Sequence, residues 1–393
     1  MSEQTAAPAK DKGHRNLLIV LFAGFVLSGI ATTIIGPLIP VFKQRWPLDD
    51  SQLGLFGTIQ FLAALAGTLA SSVIHSWWGY RPALALGYAL MGCGLVGLNA
   101  DTRFLVMVAC AGFGLGYGLL TSGTNLFVAE LGGAKSASLL NLLNFTWGLG
   151  ATSCSSLIAM ALARHGLPVL LVGLGIFGGL IVLGLLFTSF GEGKHDESAK
   201  ANEATGTEMA TWVTVALAAM FFIYVSMETS VGYWAAEYAK RLANGITGLT
   251  TLAPMFFYGG LTSGRLSAPL VLHRVSERKV VLGALSLAVT ANVFLTLSPS
   301  LKPALVAVFF AGLGYSTIYP IYIAWLSRWY GPRAKKIGGI LFALASLGGS
   351  AGPWLVGFVS KLFGSLRVGL LVPFAFAVSM IVLVLLLRRQ TTA

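Results

Sequence analysis

Charged residues are scarce in this 393-residue chain, where Asp, Glu, Lys and Arg together make up 10% of the sequence. Hydrophobic residues make up 56%, and the mean hydropathy is +0.80. A soluble domain could not bury this much apolar surface, so the lipid bilayer must act as the solvent for part of the chain. The sequence therefore predicts an integral membrane protein.

Cysteine and histidine are also rare. The three cysteines, Cys93, Cys110 and Cys154, lie in apolar stretches, and the five histidines lie in tails or near the ends of apolar runs. This distribution predicts no disulfide, no metal site and no cofactor, and it argues against a membrane-bound enzyme. There is no G-x-x-x-x-G-K-[ST] loop, which disfavours ATP-driven pumping. The net charge of +12 comes from basic residues scattered singly between apolar runs, which argues against binding to nucleic acid.

Twelve apolar runs are long enough, or nearly so, to cross a bilayer as helices. The runs are continuous rather than alternating, which favours helices over a β-barrel. After a polar tail at residues 1–16, we predict membrane spans near residues 17–42, 50–75, 82–100, 104–129, 136–163, 167–190, 210–239, 248–272, 280–298, 301–327, 335–361 and 366–387.

Lysine and arginine fall unevenly on the two sides of these spans. With both termini in the cytoplasm, 17 of the 26 basic residues lie on the cytoplasmic side and the other 9 lie outside. The positive-inside rule favours this orientation. We therefore predict a multi-pass protein of the plasma membrane or bacterial inner membrane, with both termini cytoplasmic.

The two halves of the chain repeat weakly. Gly114–Tyr117 and Gly312–Tyr315 share the letters GLGY, and Leu149-Gly150 matches Leu347-Gly348 at the same offset of 198 residues. Residues 191–209, which are polar and mostly acidic, suit a cytoplasmic linker between the halves. We predict an N-terminal six-helix bundle at 17–190 and a C-terminal one at 210–388.

With this organisation, the chain resembles the major facilitator superfamily over essentially its whole length. The family's cytoplasmic loop motif, Asp-Arg-x-Gly-x-Arg, matches Ser76-Trp77-Trp78-Gly79-Tyr80-Arg81 and, in the second half, His273-Arg274-Val275-Ser276-Glu277-Arg278. Both copies lack the aspartate. The resemblance implies an all-α fold of two pseudo-symmetric six-helix bundles and a gating role for the loop residues Gly79, Arg81, Arg274 and Arg278. We add Arg265, near the predicted cytoplasmic end of the eighth span, as a gating or snorkelling residue.

Within that family the chain looks most like the fucose–glucose/galactose permease group. Three stretches carry the similarity: Tyr224–Glu228 with Trp234, Thr121–Asn125, and Ser316–Pro320. Proton-coupled members of the group carry an acid where Thr121 stands and another near Gly36, and this chain has neither. The resemblance implies sugar transport, with proton coupling by another route or absent.

Only one of the 14 acidic residues, Glu228, lies well inside a predicted span. Burying an ionisable group at that depth in the membrane costs free energy, so such a residue is a functional candidate by default. We predict that Glu228 hydrogen-bonds the substrate or carries a proton, and the alternative is a structural hydrogen bond between helices. No Lys or Arg falls mid-span in the sequence reading, which predicts a neutral solute.

Amides and aromatic rings complete the predicted binding set. Asn and Gln both donate and accept hydrogen bonds, as a polyol requires, and an aromatic ring can stack on the apolar face of a sugar. Interhelical hydrogen bonds or core packing are the alternatives for these residues. The predicted substrate-binding residues are Gln60, Asn125, Asn141, Asn144, Trp147, Glu228, Trp234 and Tyr319.

These features together predict a monomeric transporter of a small neutral solute, a sugar or similar polyol, working by alternating access around a central site between the bundles. Proton symport through Glu228 and facilitated diffusion both stay open. The main alternative is an exporter of drugs or other lipophilic molecules, but the Gly-Pro pair typical of such exporters is absent from the fifth span. A receptor without transport is a further alternative.

Overall fold

The computed structural model describes residues 7–132, 136–188 and 211–387. The predicted linker at 191–209 lies outside the described residues, and so does the side chain of Asn141.

The described residues form sixteen α-helices. They are α1 (Ala7–Thr33), α2 (Ile35–Arg45), α3 (Asp50–Trp78), α4 (Tyr80–Gly97), α5 (Arg103–Gly132), α6 (Ser136–Ala163), α7 (Leu167–Phe187), α8 (Thr211–Ala243), α9 (Gly248–Thr251), α10 (Ala253–Leu272), α11 (Glu277–Leu297), α12 (Leu301–Tyr315), α13 (Ile318–Tyr330), α14 (Ala334–Phe363), α15 (Leu366–Gly369) and α16 (Leu371–Leu386). A short 3₁₀ turn, Gly331–Arg333, joins α13 to α14.

Four of the predicted spans are each divided into two helices, and prolines explain the breaks. A proline lacks the N–H that would bond the carbonyl four residues earlier, and its ring crowds that carbonyl. Pro37 stands four residues after Thr33, where α1 ends, and Pro320 stands four residues after Ser316, just beyond the end of α12. Pro373 likewise stands four residues after Gly369, where α15 ends, and Pro254 stands three residues after Thr251, where α9 ends. With these pairs joined, every predicted span corresponds to one helical run.

Ten helical runs in the described residues are long and apolar enough to cross a membrane by length and composition. The two others are α4 and α10. Helix α4 begins with Tyr80-Arg81-Pro82, and α10 contains glycines, serines and Arg265, and these residues lower the mean hydropathy of the two helices. The predicted all-α membrane fold is confirmed, whereas composition alone does not support all twelve spans.

The chain packs into two compact units. One comprises Met1–Thr32, Leu62–Cys154 and Arg164–Asp196, and the other comprises Thr33–Phe61, Ser155–Ala163 and Glu197–Ala393. In the first unit α4 packs against α5 and α7, and in the second α8 packs against α14 while α12 packs against α10 and α11. The predicted six-helix bundles at 17–190 and 210–388 stay a prediction.

Glycines at repeat-related positions make matching close helix contacts. A Cβ atom added to Gly150 on α6 would lie 2.0 Å from the Val26 carbonyl oxygen on α1, inside the first unit. A Cβ atom added to Gly348 on α14 would lie 2.1 Å from the Phe222 carbonyl oxygen on α8, inside the second unit. Real Cβ atoms essentially never come this close, so both positions require glycine. The contacts support the repeat predicted at an offset of 198.

Candidate solute-binding site

Glu228 lies on α8, half-buried, in a group of polar side chains within the second unit. The Tyr224 hydroxyl, one turn earlier on the same helix, lies within hydrogen-bonding range of the Glu228 carboxyl and the Arg265 guanidinium. The same hydroxyl donates to the Tyr315 carbonyl oxygen over 3.2 Å. That carbonyl is available because α12 ends at Tyr315, ahead of the break associated with Pro320.

Arg265 belongs to this group, and its position corrects an expectation drawn from the sequence. It is half-buried on α10 and interacts electrostatically with Glu228, Tyr224 and Tyr319. The expectation that no basic residue joins the membrane-embedded polar set is therefore wrong. Counting along the chain placed the Arg265 backbone toward a helix end, but it could not show that the long side chain lies beside α8.

The charges of Glu228 and Arg265 compensate each other. A carboxylate beside a guanidinium leaves the group with no net charge, while the guanidinium still supplies donors and the carboxylate still supplies acceptors. A group of this composition can both donate hydrogen bonds to hydroxyl groups and accept hydrogen bonds from them. The preference for a neutral solute therefore rests on this charge balance rather than on the lack of a cation.

Tyr319 provides the aromatic face of the group. Its ring stacks on Tyr224 with centroids 5.5 Å apart and an interplanar angle of 26°, and it meets Phe221 edge-on at 5.6 Å. Tyr319 is half-buried, whereas Tyr224 and Phe221 are fully buried. Two buried rings therefore hold Tyr319 in place and leave part of its side chain accessible to a solute.

Asn292, which the sequence analysis did not single out, supports the same region from α11. Its amide nitrogen donates to the Tyr315 hydroxyl over 2.7 Å and to the Ala288 carbonyl oxygen over 2.8 Å. The side chain is fully buried. The sequence feature that could have identified Asn292 was its amide side chain inside the predicted span 280–298.

Trp234 does not have the geometry of a binding residue. Its side chain is fully buried, and its indole N–H donates to the Pro353 carbonyl oxygen on α14 over 2.9 Å. In this conformation the ring packs helices together, so the core interpretation describes Trp234 better than the substrate-binding one.

In the first unit, Trp147 is half-buried on α6, and its indole N–H donates to the Thr32 hydroxyl over 3.1 Å. Asn125 is half-buried and Asn144 is exposed, and each side-chain amide donates over 2.8 Å to a carbonyl four residues earlier in its own helix. These bonds do not tie two helices together. Gln60, which the contacts group with the second unit, is nearly fully buried at 3% exposure.

The first loop motif has a clear structural role at its glycine and arginine. Gly79 has φ +77°, a conformation that favours glycine, and it directly precedes α4. The Arg81 guanidinium donates to the carbonyl oxygens of Leu185, over 3.0 Å, and Thr188. Arg81 thereby binds carbonyls at the C-terminal end of α7, where a positive charge is favourable.

In the second copy, Glu277 supplies a carboxylate although the motif's aspartate is missing. It accepts hydrogen bonds from the Trp325 indole N–H, over 2.7 Å, and from Arg328, and so joins α11 to α13. Arg274 is exposed and Arg278 is half-buried. The gating roles predicted for these arginines stay predictions.

Comparison with known proteins identifies the family. The model of the Major Facilitator Superfamily matches residues 21–303 and 264–393, so the chain belongs to this superfamily, as predicted. It is therefore a multi-pass membrane transporter and not an enzyme.

The relatives include sugar transporters. The glucose/mannose transporter GlcP of Bacillus subtilis is 24% identical over 355 residues, which cover 86% of each chain. The crystal structure of the Escherichia coli fucose:proton symporter FucP matches with a TM-score of 0.63 at 18% identity, over 96% of this chain and 98% of that one. The inward-open xylose transporter XylE from E. coli matches with a TM-score of 0.77 at 15% identity, over 95% and 96% of the two chains.

Proposed function

We propose that this protein carries a neutral sugar or similar polyol across a cell membrane by alternating access. The observation that carries the proposal is the group formed by Tyr224, Glu228, Arg265 and Tyr319. It combines donors, an acceptor and an aromatic face, and its charges balance. Sugar hydroxyls need both donors and acceptors, and the apolar face of a pyranose suits an aromatic ring. The sugar transporters among the relatives support the same substrate class.

For Trp147 and Asn125, which lie in the first unit, substrate binding stays a prediction, and both side chains are half-buried, on helices α6 and α5. We assign Glu228 first to solute binding, since the Tyr224 hydroxyl lies within hydrogen-bonding range of its carboxyl and Arg265 interacts with it electrostatically. Proton carriage by Glu228 is the alternative assignment. Both termini are proposed to face the cytoplasm, on the distribution of lysine and arginine.

Uptake into proteoliposomes tests the proposal. Purified protein is screened by thermal shift against hexoses, pentoses, polyols, nucleosides, amino acids and organic acids, since a ligand that binds the folded state raises the apparent melting temperature. Each ligand that stabilises the protein is then tested for counterflow in reconstituted vesicles. We expect one or more sugars to stabilise the protein and to exchange across the membrane. Transport of organic acids or lipophilic dyes, with no sugar bound or moved, would contradict the substrate class.

A further inference from the structure

Two carboxylates are buried at the C-terminal end of α8, away from the proposed solute site. Asp50, at the start of α3, is 7% exposed, and Glu237 on α8 is 1% exposed. Removing a carboxylate from water is costly unless cations and hydrogen-bond donors surround it. Buried charges at a helix end therefore call for a structural or functional explanation.

Two basic residues bridge the carboxylates. Arg241 lies 2.5 Å from Asp50 and donates through Nε to Glu237 over 2.9 Å. Lys43 Nζ lies 2.8 Å from Asp50 and 3.5 Å from Glu237. The Ser360 hydroxyl donates to the second Asp50 oxygen over 2.5 Å. We call these five residues the ion cluster.

The ion cluster joins helices that are distant in sequence. Lys43 is on α2, Asp50 on α3, Glu237 and Arg241 on α8, and Ser360 on α14. All five lie in the second compact unit. Asp50 is the hub, because it is the one member of the cluster within hydrogen-bonding distance of residues from α2, α8 and α14.

A tyrosine adds a second set of contacts between α8 and α3. The Tyr233 hydroxyl donates to the Leu53 carbonyl oxygen over 2.7 Å and accepts from the Gly57 N–H over 3.1 Å. The backbones of α3 and α14 also come close, since a Cβ atom added to Gly54 would lie 2.7 Å from the Trp354 Cα atom. The helices are therefore tightly closed between the ion cluster and Glu228.

The position of the ion cluster along α8 relates it to the proposed solute site. Glu237 follows Glu228 by nine residues, which at about 1.5 Å per residue separates them by about 14 Å along the helix axis. The cluster and Tyr233 therefore lie on one side of Glu228, toward the α2–α3 turn.

We infer that the ion cluster and Tyr233 form the closed gate on that side of the solute site, with Asp50 as its hub. The inference rests on the alternating access proposed above, but not on the identity of the solute. Attraction within a buried ion pair is largely offset by the cost of removing both charges from water. When the gate opens, water solvates the separated charges, and this hydration offsets the attraction that is lost. A charged gate can therefore keep the closed and open states close in free energy, as a carrier requires.

Thiol labelling from each side of the membrane tests the gate. The reporter is Val225→Cys in a background without Cys93, Cys110 and Cys154. Val225 is half-buried and precedes Glu228 by three residues, so it lies on the same helix face. In a separate variant, Asp49→Cys, next to the ion cluster, marks the side on which the cluster lies. A membrane-impermeant maleimide is applied to intact cells and to inside-out vesicles.

Asp50→Asn is the test substitution, and Asp49→Asn is its matched control. Asp49 pairs with Lys361 over 3.0 Å, but 34% of the Asp49 side chain and 56% of the Lys361 side chain are exposed, so this pair should matter little. Asparagine at position 49 also keeps the capability to cap α3, whose Gln52 N–H bonds Asp49. Tyr233→Phe is a second test variant that changes no charge and stays informative if Asp50→Asn does not fold.

We expect Asp50→Asn to raise the reporter's labelling rate from the side marked by Asp49→Cys about tenfold and to lower it from the other side. Tyr233→Phe should act in the same direction, and Asp49→Asn should leave both rates within about twofold. Unchanged rates in folded Asp50→Asn and Tyr233→Phe, parallel changes on both sides, or an equal effect of Asp49→Asn would overturn the inference. Because labelling needs no solute, failure of the sugar proposal would be seen separately.

Discussion

Trp325 on α13 donates its indole N–H to the Glu277 carboxylate at the start of α11, with the two atoms 2.7 Å apart. Arg328 donates to the same carboxylate oxygen. The indole is almost completely buried, whereas Glu277 and Arg328 are partly exposed. The hydrogen bond from Trp325 should therefore contribute more to stability than the ion pair, which solvent screens.

Trp325→Phe is expected to lower the free energy of unfolding by about 1–2 kcal/mol, because it removes the donor to Glu277 and keeps most of the aromatic volume. Thermal unfolding of the purified protein in detergent measures the change. Trp329→Phe is the matched control, since the Trp329 ring stacks on Trp325 at 5.5 Å in the same helix. Equal losses in the two variants would show that ring volume, rather than the hydrogen bond, determines the effect.

Glu228→Gln is expected to weaken binding of the transported sugar by about tenfold or more, because a hydrogen bond to a charged group contributes about 1.5–3 kcal/mol. Ligand-dependent thermal stabilisation gives the affinity, and counterflow in vesicles gives the exchange rate. Glu277→Gln serves as the control, because it removes a carboxylate outside the proposed site.

Retained counterflow in Glu228→Gln, together with loss of pH-driven accumulation, would point to proton carriage instead of binding. Counterflow runs on the solute gradient alone, so it separates these two roles of the same carboxyl.

Arg265→Gln is expected to destabilise the fold more on its own than in combination with Glu228→Gln. The single change leaves the Glu228 carboxylate without the guanidinium that compensates it, whereas the double change removes both charges. We expect a coupling free energy of about 1 kcal/mol or more in the double-mutant cycle. Additive effects would mean that the two side chains do not interact in the folded protein.

Gly150→Ala and Gly348→Ala are each expected to reduce the folded yield sharply, because the new methyl group would collide with a main-chain carbonyl oxygen. Gly173→Ala and Gly283→Ala are controls in which the added Cβ atom meets nothing within 4 Å. These should be neutral or slightly stabilising, since alanine is the better helix former. Fluorescence-detected gel filtration compares the four variants, and loss of yield in all of them would argue against the steric explanation.

The family and the all-α fold were predictable from sequence because hydropathy, the twelve apolar runs and the loop motif are properties of the chain itself. The proline breaks were partly predictable. A proline disfavours the helix before it, and the chain departs from α-helix between Tyr315 and Ile318, just before Pro320. The polar group around Glu228 was found because Glu228 is the acidic residue placed well inside a predicted span.

What the sequence could not provide was the direction in which long side chains extend. Arg265 was predicted to lie near a helix end, and Lys43, Asp50 and Arg241 stand at or next to the ends of predicted spans, where charges are common. Their significance depends on contacts between helices that are far apart in sequence. Asp50 and Ser360 are separated by 310 positions, so their hydrogen bond could not be predicted from the residues that neighbour either one in sequence.

Helix α3 has a mechanical consequence that follows from its continuity. Its 29 residues run without a break from Asp50 to Trp78, so the helix behaves as a stiff rod about 42 Å long. Asp50 anchors one end in the ion cluster, and the turn at Gly79 that leads to Arg81 begins at the other. Helix α3 contains no proline that could act as a hinge, so any displacement of Asp50 acts on a helix that can bend sharply only by breaking main-chain hydrogen bonds.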